Sequence, residues 1–392
     1  MWKLTESRRQ FFAGCRRPEE NFWKTLFEQA GRQSLIGHPK YADFLSWKPT
    51  HSNCPELENA TRNLIEIAPM EWKATMRNIF VARAFKGEAN AQASAFRSAG
   101  IIELNYGLTV AAMIYSTLFS QFYDAIRTTA MGVDWADEDV ATTQMILEEI
   151  ERSAFDPISA ADDAVQTWAA ERHVRATSPL HVELPPARQV ADHSNLVLAV
   201  EEFVVGHEYC HHMLGHTDSS FRHARTIKQR VKQLLSEIES SSAMEELNDA
   251  QWQELEADIG ALLLLSGSLS GKSERWQIYR AVGGSMLALV SLAHVMESWI
   301  DGGEQHPNFL VRYEVMCKAI TKLTRGVPIG SRTDHPVGFL IQFRGFISAV
   351  LQTWASRVGE DIEAPKFLNI FSWMIDLQVE FTEDFEAGEV TA

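Results

Sequence analysis

At 392 residues, 45% hydrophobic and 22% charged, the chain has a globular balance and material for a large core, as one big domain with appendages or as two. Its formal net charge of -16 argues against a nucleic-acid-binding surface, which is ordinarily basic. Cys15, Cys54, Cys210 and Cys317 stand without paired spacing, so they read as free thiols of a reducing compartment and not as a disulfide framework.

In chain order, residues 1 to about 88 read as amphipathic helices, with turns around His38-Pro39, Lys48-Pro49 and Cys54-Pro55. The start is charged throughout and has no apolar h-region, so no signal peptide is expected. Gly100 to Leu104 has the β-branched, apolar look of a short strand. Asn105-Tyr106-Gly107 then makes a turn into a helix over Leu108 to Thr128. Helices are also expected over Trp135 to Ile150 and Ala160 to Arg172. Ser178-Pro179 and Pro185-Pro186 break the chain before a long helix that starts near Ser194 or Asn195, both good N-cap residues.

A polar helix over Phe221 to Glu239 carries Arg222, Arg225, Lys228, Arg230 and Lys232, read as a solvated face. A helix over Asp249 to Leu265 follows. Apolar helices then alternate with breaks at Gly302-Gly303, Pro307, Val327-Pro328 and His335-Pro336, and the acidic tail from Glu380 to Glu389 is read as solvated. The longest apolar windows, Tyr106 to Phe122 and Ala281 to Ile300, are interrupted by polar groups and fall short of a span of about 20 apolar residues. They read as buried core helices, with no integral membrane span and a cytoplasmic location expected.

The chemistry concentrates in Asn195 to Thr217, NLVLAVEEFVVGHEYCHHMLGHT, which contains His207-Glu208-Tyr209-Cys210-His211. Residues four apart share a helix face, so His207 and His211 can point both imidazoles at one metal ion. Glu208 lies one step round, where it can reach the open coordination position and take a proton from water. The segment around them is apolar on several sides, and polar groups in such a helix need a reason to be there.

A zinc site needs a third protein ligand from another element. Glu254 and Asp258 share a face of the helix around Trp252 to Ala261, while Ala257, Gly260 and Ala261 are small enough to allow close helix approach. Glu254 is therefore assigned to the metal, and Asp258 to accepting a hydrogen bond from a ligand histidine. Glu256 lies about 200° round from Glu254 and faces elsewhere. His212 and His216 miss the ligand face and read as structural or incidental, and Cys210, also off that face, reads as a small core residue.

This H-E-x-x-H followed by Glu254-Leu255-Glu256-Ala257-Asp258 resembles the gluzincin metallopeptidases, especially the group of the CAAX prenyl proteases and the bacterial membrane heat-shock protease. Asn90-Ala91 with Ile101 to Leu104 and Gly107-Leu108 resembles that group's segment beside the substrate cleft. His306-Pro307-Asn308-Phe309-Leu310-Val311-Arg312 resembles its H-P-x4-R element. The resemblance covers roughly residues 88 to 315. It implies a mostly α (α+β) fold with a zincin-like core: an active-site helix, a glutamate-bearing helix and a small edge sheet, with further helices at each end. The expected divisions are an N-terminal helical region (1–88), a metallopeptidase domain (89–315) and C-terminal helices packed on the core (316–392).

The implied activity is hydrolysis of a protein or peptide substrate with one Zn2+ per chain, held by His207, His211 and Glu254, with Glu208 as general base. By the same resemblance, His306 and Arg312 stabilise the oxyanion. His335-Pro336 is a rival for that role, although it lacks an arginine six residues after the histidine. The membrane-embedded members carry clear transmembrane helices and none is expected in this chain, a departure that puts membrane-protein substrates in doubt. Two other readings stand beside the endopeptidase. One is a narrow-specificity regulatory protease of a stress, phage or toxin response; the other is a non-catalytic helical interaction protein with a structural zinc.

Overall fold

The computed structural model describes residues 2–96, 99–130, 187–217, 225–238, 246–324 and 336–360, with single positions between (145, 148, 149, 158, 159, 162 and 244). The fold is mostly α with one small sheet. The N-terminal part supplies α1 (Trp2–Gly14), α2 (Phe22–Gln29), α3 (Pro55–Ile67) and α4 (Met70–Met76), joined by short helical turns. The sheet comprises β1 (Ile79–Ala84), β2 (Ala91–Phe96) and β3 (Ala99–Asn105). Then come α5 (Tyr106–Ala130), α6 (Ala187–Leu214), α7 (Arg225–Glu237), α8 (Asp249–Leu265), α9 (Arg275–Met296), α10 (Phe309–Thr324) and α11 (Pro336–Val358).

β1 corrects the expectation of helix throughout residues 1 to 88. β3 is the central strand, parallel to β1 and antiparallel to β2, with Val81 and Ala93 both opposite Ile102. β1 is buried along its whole length. Phe80 and Ala82 pack on Phe11 and Phe12 of α1, while Ile79 and Val81 join the main core. A strand covered on both faces reads as a continuous apolar run, so it shows no alternation to distinguish it from helix. Asn53 fixes its end: Asn53 Nδ2 donates to the Arg83 carbonyl and Arg83 N–H donates to Asn53 Oδ1, both at 2.8 Å. The N-terminal helices are therefore not set apart: α1 packs on β1 and β3, and α3 on β1 and α6.

α6 is the axis of the molecule. α3, α5, α8, α9, β2 and β3 all touch it, and every residue from 201 to 210 is buried. It begins at Ala187, earlier than the expected start near Ser194 or Asn195, because the polar residues between are compatible with continuing a helix. Two neighbouring carboxylates in the buried part of this helix are paired, as burial requires. Glu201 accepts from Arg83 Nη2 at 2.5 Å and from Thr109 Oγ1 at 2.7 Å. Glu202 faces Arg280 at 2.7 Å and accepts from Asn63 Nδ2 at 3.2 Å.

Two glycines set how closely the neighbouring helices approach α6. A Cβ at Gly284 of α9 would lie 2.3 Å from the Ala199 carbonyl oxygen, and one at Gly260 of α8 would lie 2.7 Å from Cys210 Sγ. α9 is also, among the described residues, the one helix long and apolar enough to cross a membrane, yet 78% of its most apolar window is buried inside this fold. The helices expected over Trp135 to Ile150 and Ala160 to Arg172, together with Arg222, His335 and the acidic tail, lie outside the described residues apart from single positions.

Candidate metal centre

α6 and α8 cross so that His207, His211 and Glu254 meet. One side-chain ligand atom from each falls within 4.8 Å of the others. His207 Nε2 and His211 Nε2 are 3.0 Å apart. Glu254 Oε2 is 3.4 Å from His207 Nε2, and its Oε1 is 3.2 Å from His211 Nε2. Ligand atoms on a tetrahedral ion with bonds of about 2.0–2.2 Å lie roughly 3.3–3.6 Å apart. The three side chains are therefore already near the spacing a small divalent ion requires. Two imidazole nitrogens and one carboxylate are also the donor set such an ion takes.

The ring nitrogen of His207 away from this cluster is held. His207 Nδ1 donates to Asp258 Oδ1 at 2.9 Å, and Arg312 brackets the same carboxylate with Nε on Oδ2 and Nη2 on Oδ1, each at 2.8 Å. Asp258 is 1% exposed. Burial raises its pKa, but Arg312 and His207 more than reverse that and hold it down at about 2. In the metal-free chain, burial opposes charge on His207, yet Asp258 and Glu254 lift it to about 10. Burial likewise opposes charge on Glu254, and His207, His211 and His306 hold its carboxyl far below the usual range.

His211 is held from a different direction. α6 ends at Leu214, and Gly215 takes a left-handed φ of 80°. The His216 N–H returns to the His211 carbonyl at 2.9 Å, the six-to-one bond of a Schellman cap. That turn brings His216 Nδ1 to 3.2 Å from His211 Nδ1, while His216 Nε2 lies 3.0 Å from Glu256 Oε2. Glu256 faces Lys232 at 3.2 Å. The rule that placed His216 off the ligand face holds only while the helix continues, and Gly215 was the available signal that it stops. Glu256 does point away from Glu254, but toward this histidine.

The cluster opens on a cavity of about 500 Å³. Glu208 lines it, is 7% exposed, and makes no hydrogen bond to another described residue. Burial raises the Glu208 carboxyl above its ordinary value, against the pull of His207 and His211. Phe203, Val204, Leu289 and Leu292 form an apolar wall, and Ala91 to Ala93 of the edge strand β2 form another side. His306 stands at the mouth, half-exposed, with Nδ1 2.9 Å from Glu254 Oε2.

His306 precedes α10 and does not start it, because the cap is Asn308, whose Oδ1 accepts from Val311 N–H at 3.0 Å. The loop is tied to the start of α8 by Asn248 Nδ2 on the Glu304 carbonyl and Gln251 Nε2 on the Gly303 carbonyl. Arg312 reaches the same cavity, but with two donors committed to Asp258.

A family model described as Peptidase U49 matches residues 113–324, more than half of the chain. The match runs through α6, α8 and α10 and so contains all three ligand candidates, Glu208, Asp258, His306 and Arg312. No curated protein and no solved structure matches the chain.

Proposed function

The chain belongs to the peptidase U49 family, and we propose that it is a zinc-dependent endopeptidase of the gluzincin kind, with His207, His211 and Glu254 as the ligands. The observation that carries this reading is the His-His-Glu cluster lining a cavity that also holds the carboxyl of Glu208, which has no hydrogen-bond partner among the described residues. A site serving stability alone has no use for a base beside an open position. A zinc ion held there supplies Lewis acidity and makes water nucleophilic near neutral pH.

The protein's own groups do the rest. Glu208 takes the proton of the attacking water and returns it to the leaving amine. Its buried setting, which raises its pKa, brings it closer to the working range of a general base. Asp258 fixes the His207 ring through Nδ1, so that Nε2 presents its lone pair to the ligand cluster. Arg312 works through Asp258, whereas the resemblance alone placed it on the oxyanion. His306 uses Nδ1 on Glu254 and keeps Nε2 for the oxyanion. β2 is an edge strand beside the cavity, and an extended peptide adds to that edge by main-chain pairing.

Metal analysis of the purified full chain should give one zinc per chain for wild type and much less for His207→Ala and Glu254→Ala. Glu208→Gln should keep the zinc and lose proteolysis by about 10²–10⁴-fold, read by proteome-wide terminal labelling. A wild-type chain that takes up no divalent metal, or a Glu208→Gln variant as active as wild type, would remove the proposal.

A further inference from the structure

We propose that His216 and Glu256 are positioning residues for the metal ligand His211. They form a second support arm that matches the one Asp258 and Arg312 give His207. The inference rests on the metal-site reading above and extends it to two residues that reading does not use.

The hydrogen-bond directions leave one consistent arrangement. If His211 offers Nε2 to a metal, its proton sits on Nδ1. That N–H donates across 3.2 Å to His216 Nδ1, so His216 carries its own proton on Nε2. His216 Nε2–H then donates to Glu256 Oε2 at 3.0 Å. Lys232 holds the other oxygen, Oε1, at 3.2 Å, and Lys228 stands 4.0 Å from Oε2. Each ligand histidine thus heads a chain of imidazole, carboxylate and cation. The His207 chain is direct, and the His211 chain has one imidazole interposed.

His216 cannot be a ligand of the same ion, because it meets His211 on the ring side opposite Nε2. Nor is it a surface residue in casual contact, since its side chain is 2% exposed and that of Glu256 is 11% exposed. Burying a carboxylate costs stability unless it is paired, and its partners here are this histidine and the two lysines. The Gly215 cap is what delivers His216 to this position, which ties the arm to the end of the ligand helix.

The test is metal affinity of the full chain by chelator competition, with Co2+ in place of Zn2+ for visible absorption. His216→Phe removes the acceptor for His211 Nδ1–H and should weaken binding about 10–100-fold, with a shifted Co2+ spectrum from the re-oriented ring. Glu256→Gln is isosteric and should weaken binding by about tenfold, the lower end of that range. A simple packing role would lower the melting temperature of the metal-free chain and leave affinity and spectrum alone. Should His216→Phe fail to fold, the isosteric Glu256→Gln still decides. Wild-type affinity within about twofold and an unchanged spectrum in the folded variants would overturn the inference while leaving the metal site standing. A wild-type chain that binds no Co2+ or Zn2+ would instead remove the reading beneath it.

Discussion

Replacing Arg312 by methionine keeps a long side chain and removes the guanidinium that brackets Asp258. Asp258 is 1% exposed, and its carboxylate accepts two hydrogen bonds of 2.8 Å from Arg312 and one of 2.9 Å from His207. Hydrogen bonds to a charged group contribute about 1.5–3 kcal/mol each, so losing two removes roughly 3–6 kcal/mol. The usual cost of breaking a buried pair, about 3–5 kcal/mol, agrees. Burial then dominates and the Asp258 pKa rises from about 2. A carboxyl that protonates more readily holds His207 less firmly, so metal affinity should also fall about 10–100-fold. Arg312→Lys should rescue little, because an ammonium cannot make the two-pronged contact. Urea unfolding of the metal-free variants and chelator competition read the two effects separately. If Arg312→Met keeps wild-type stability and metal affinity but turns over substrate more slowly, Arg312 acts on the transition state and not through Asp258.

Gly284→Ala should destabilise the fold by about 1–3 kcal/mol, since its Cβ would sit 2.3 Å from the Ala199 carbonyl oxygen. Without the clash, the gain in helix propensity would stabilise by about 1 kcal/mol, so the sign of the change in urea midpoint tests the close approach of α6 and α9. His306→Phe should keep metal and KM and lower kcat on the order of 10²-fold, the size of one lost oxyanion donor; a silent His306→Phe with a slow His335→Phe would move that role to the second His-Pro. In the metal-free chain, the pKa of His207 is raised from 6.5 to about 10. Its contribution to stability is therefore complete below about pH 6.5 and lost as pH rises through 10. Chelated protein should lose unfolding free energy across that window while its metal affinity climbs, because binding at Nε2 has to expel the proton. A flat affinity profile between pH 6.5 and 10 would show that His207 is not held protonated.

What was legible in the sequence is what local periodicity encodes. Residues at i and i+4 face one way, so the proximity of His207 to His211 and the shared face of Glu254 and Asp258 follow from counting. The small residues of α8 likewise announce a close crossing, and the crossing occurs at Gly260. β1 was hidden because both its faces are covered, which erases the alternation that marks a strand. His216 was hidden because helical counting was carried past Gly215, where the helix ends and the chain folds back. The partner of Arg312 could not be counted at all, since Asp258 lies 54 residues away on a different helix.

The crossing at Cys210 and Gly260 makes the ligand cluster a gauge. His211 is the next residue after Cys210, and Glu254 stands six residues before Gly260, about 9 Å along α8. The two jaws that carry the ligands are therefore set apart by a contact in which one side has no side chain. Were the cluster to hold a divalent ion, that gap would bear on which one fits, because ions differ in bond length by tenths of an ångström. On the proposed metal reading, the fit of the ion rests partly on the absence of a methyl group at Gly260, a residue outside the cluster. A side chain added there would press on Cys210 and part α8 from α6 while His207, His211 and Glu254 all remain in the sequence.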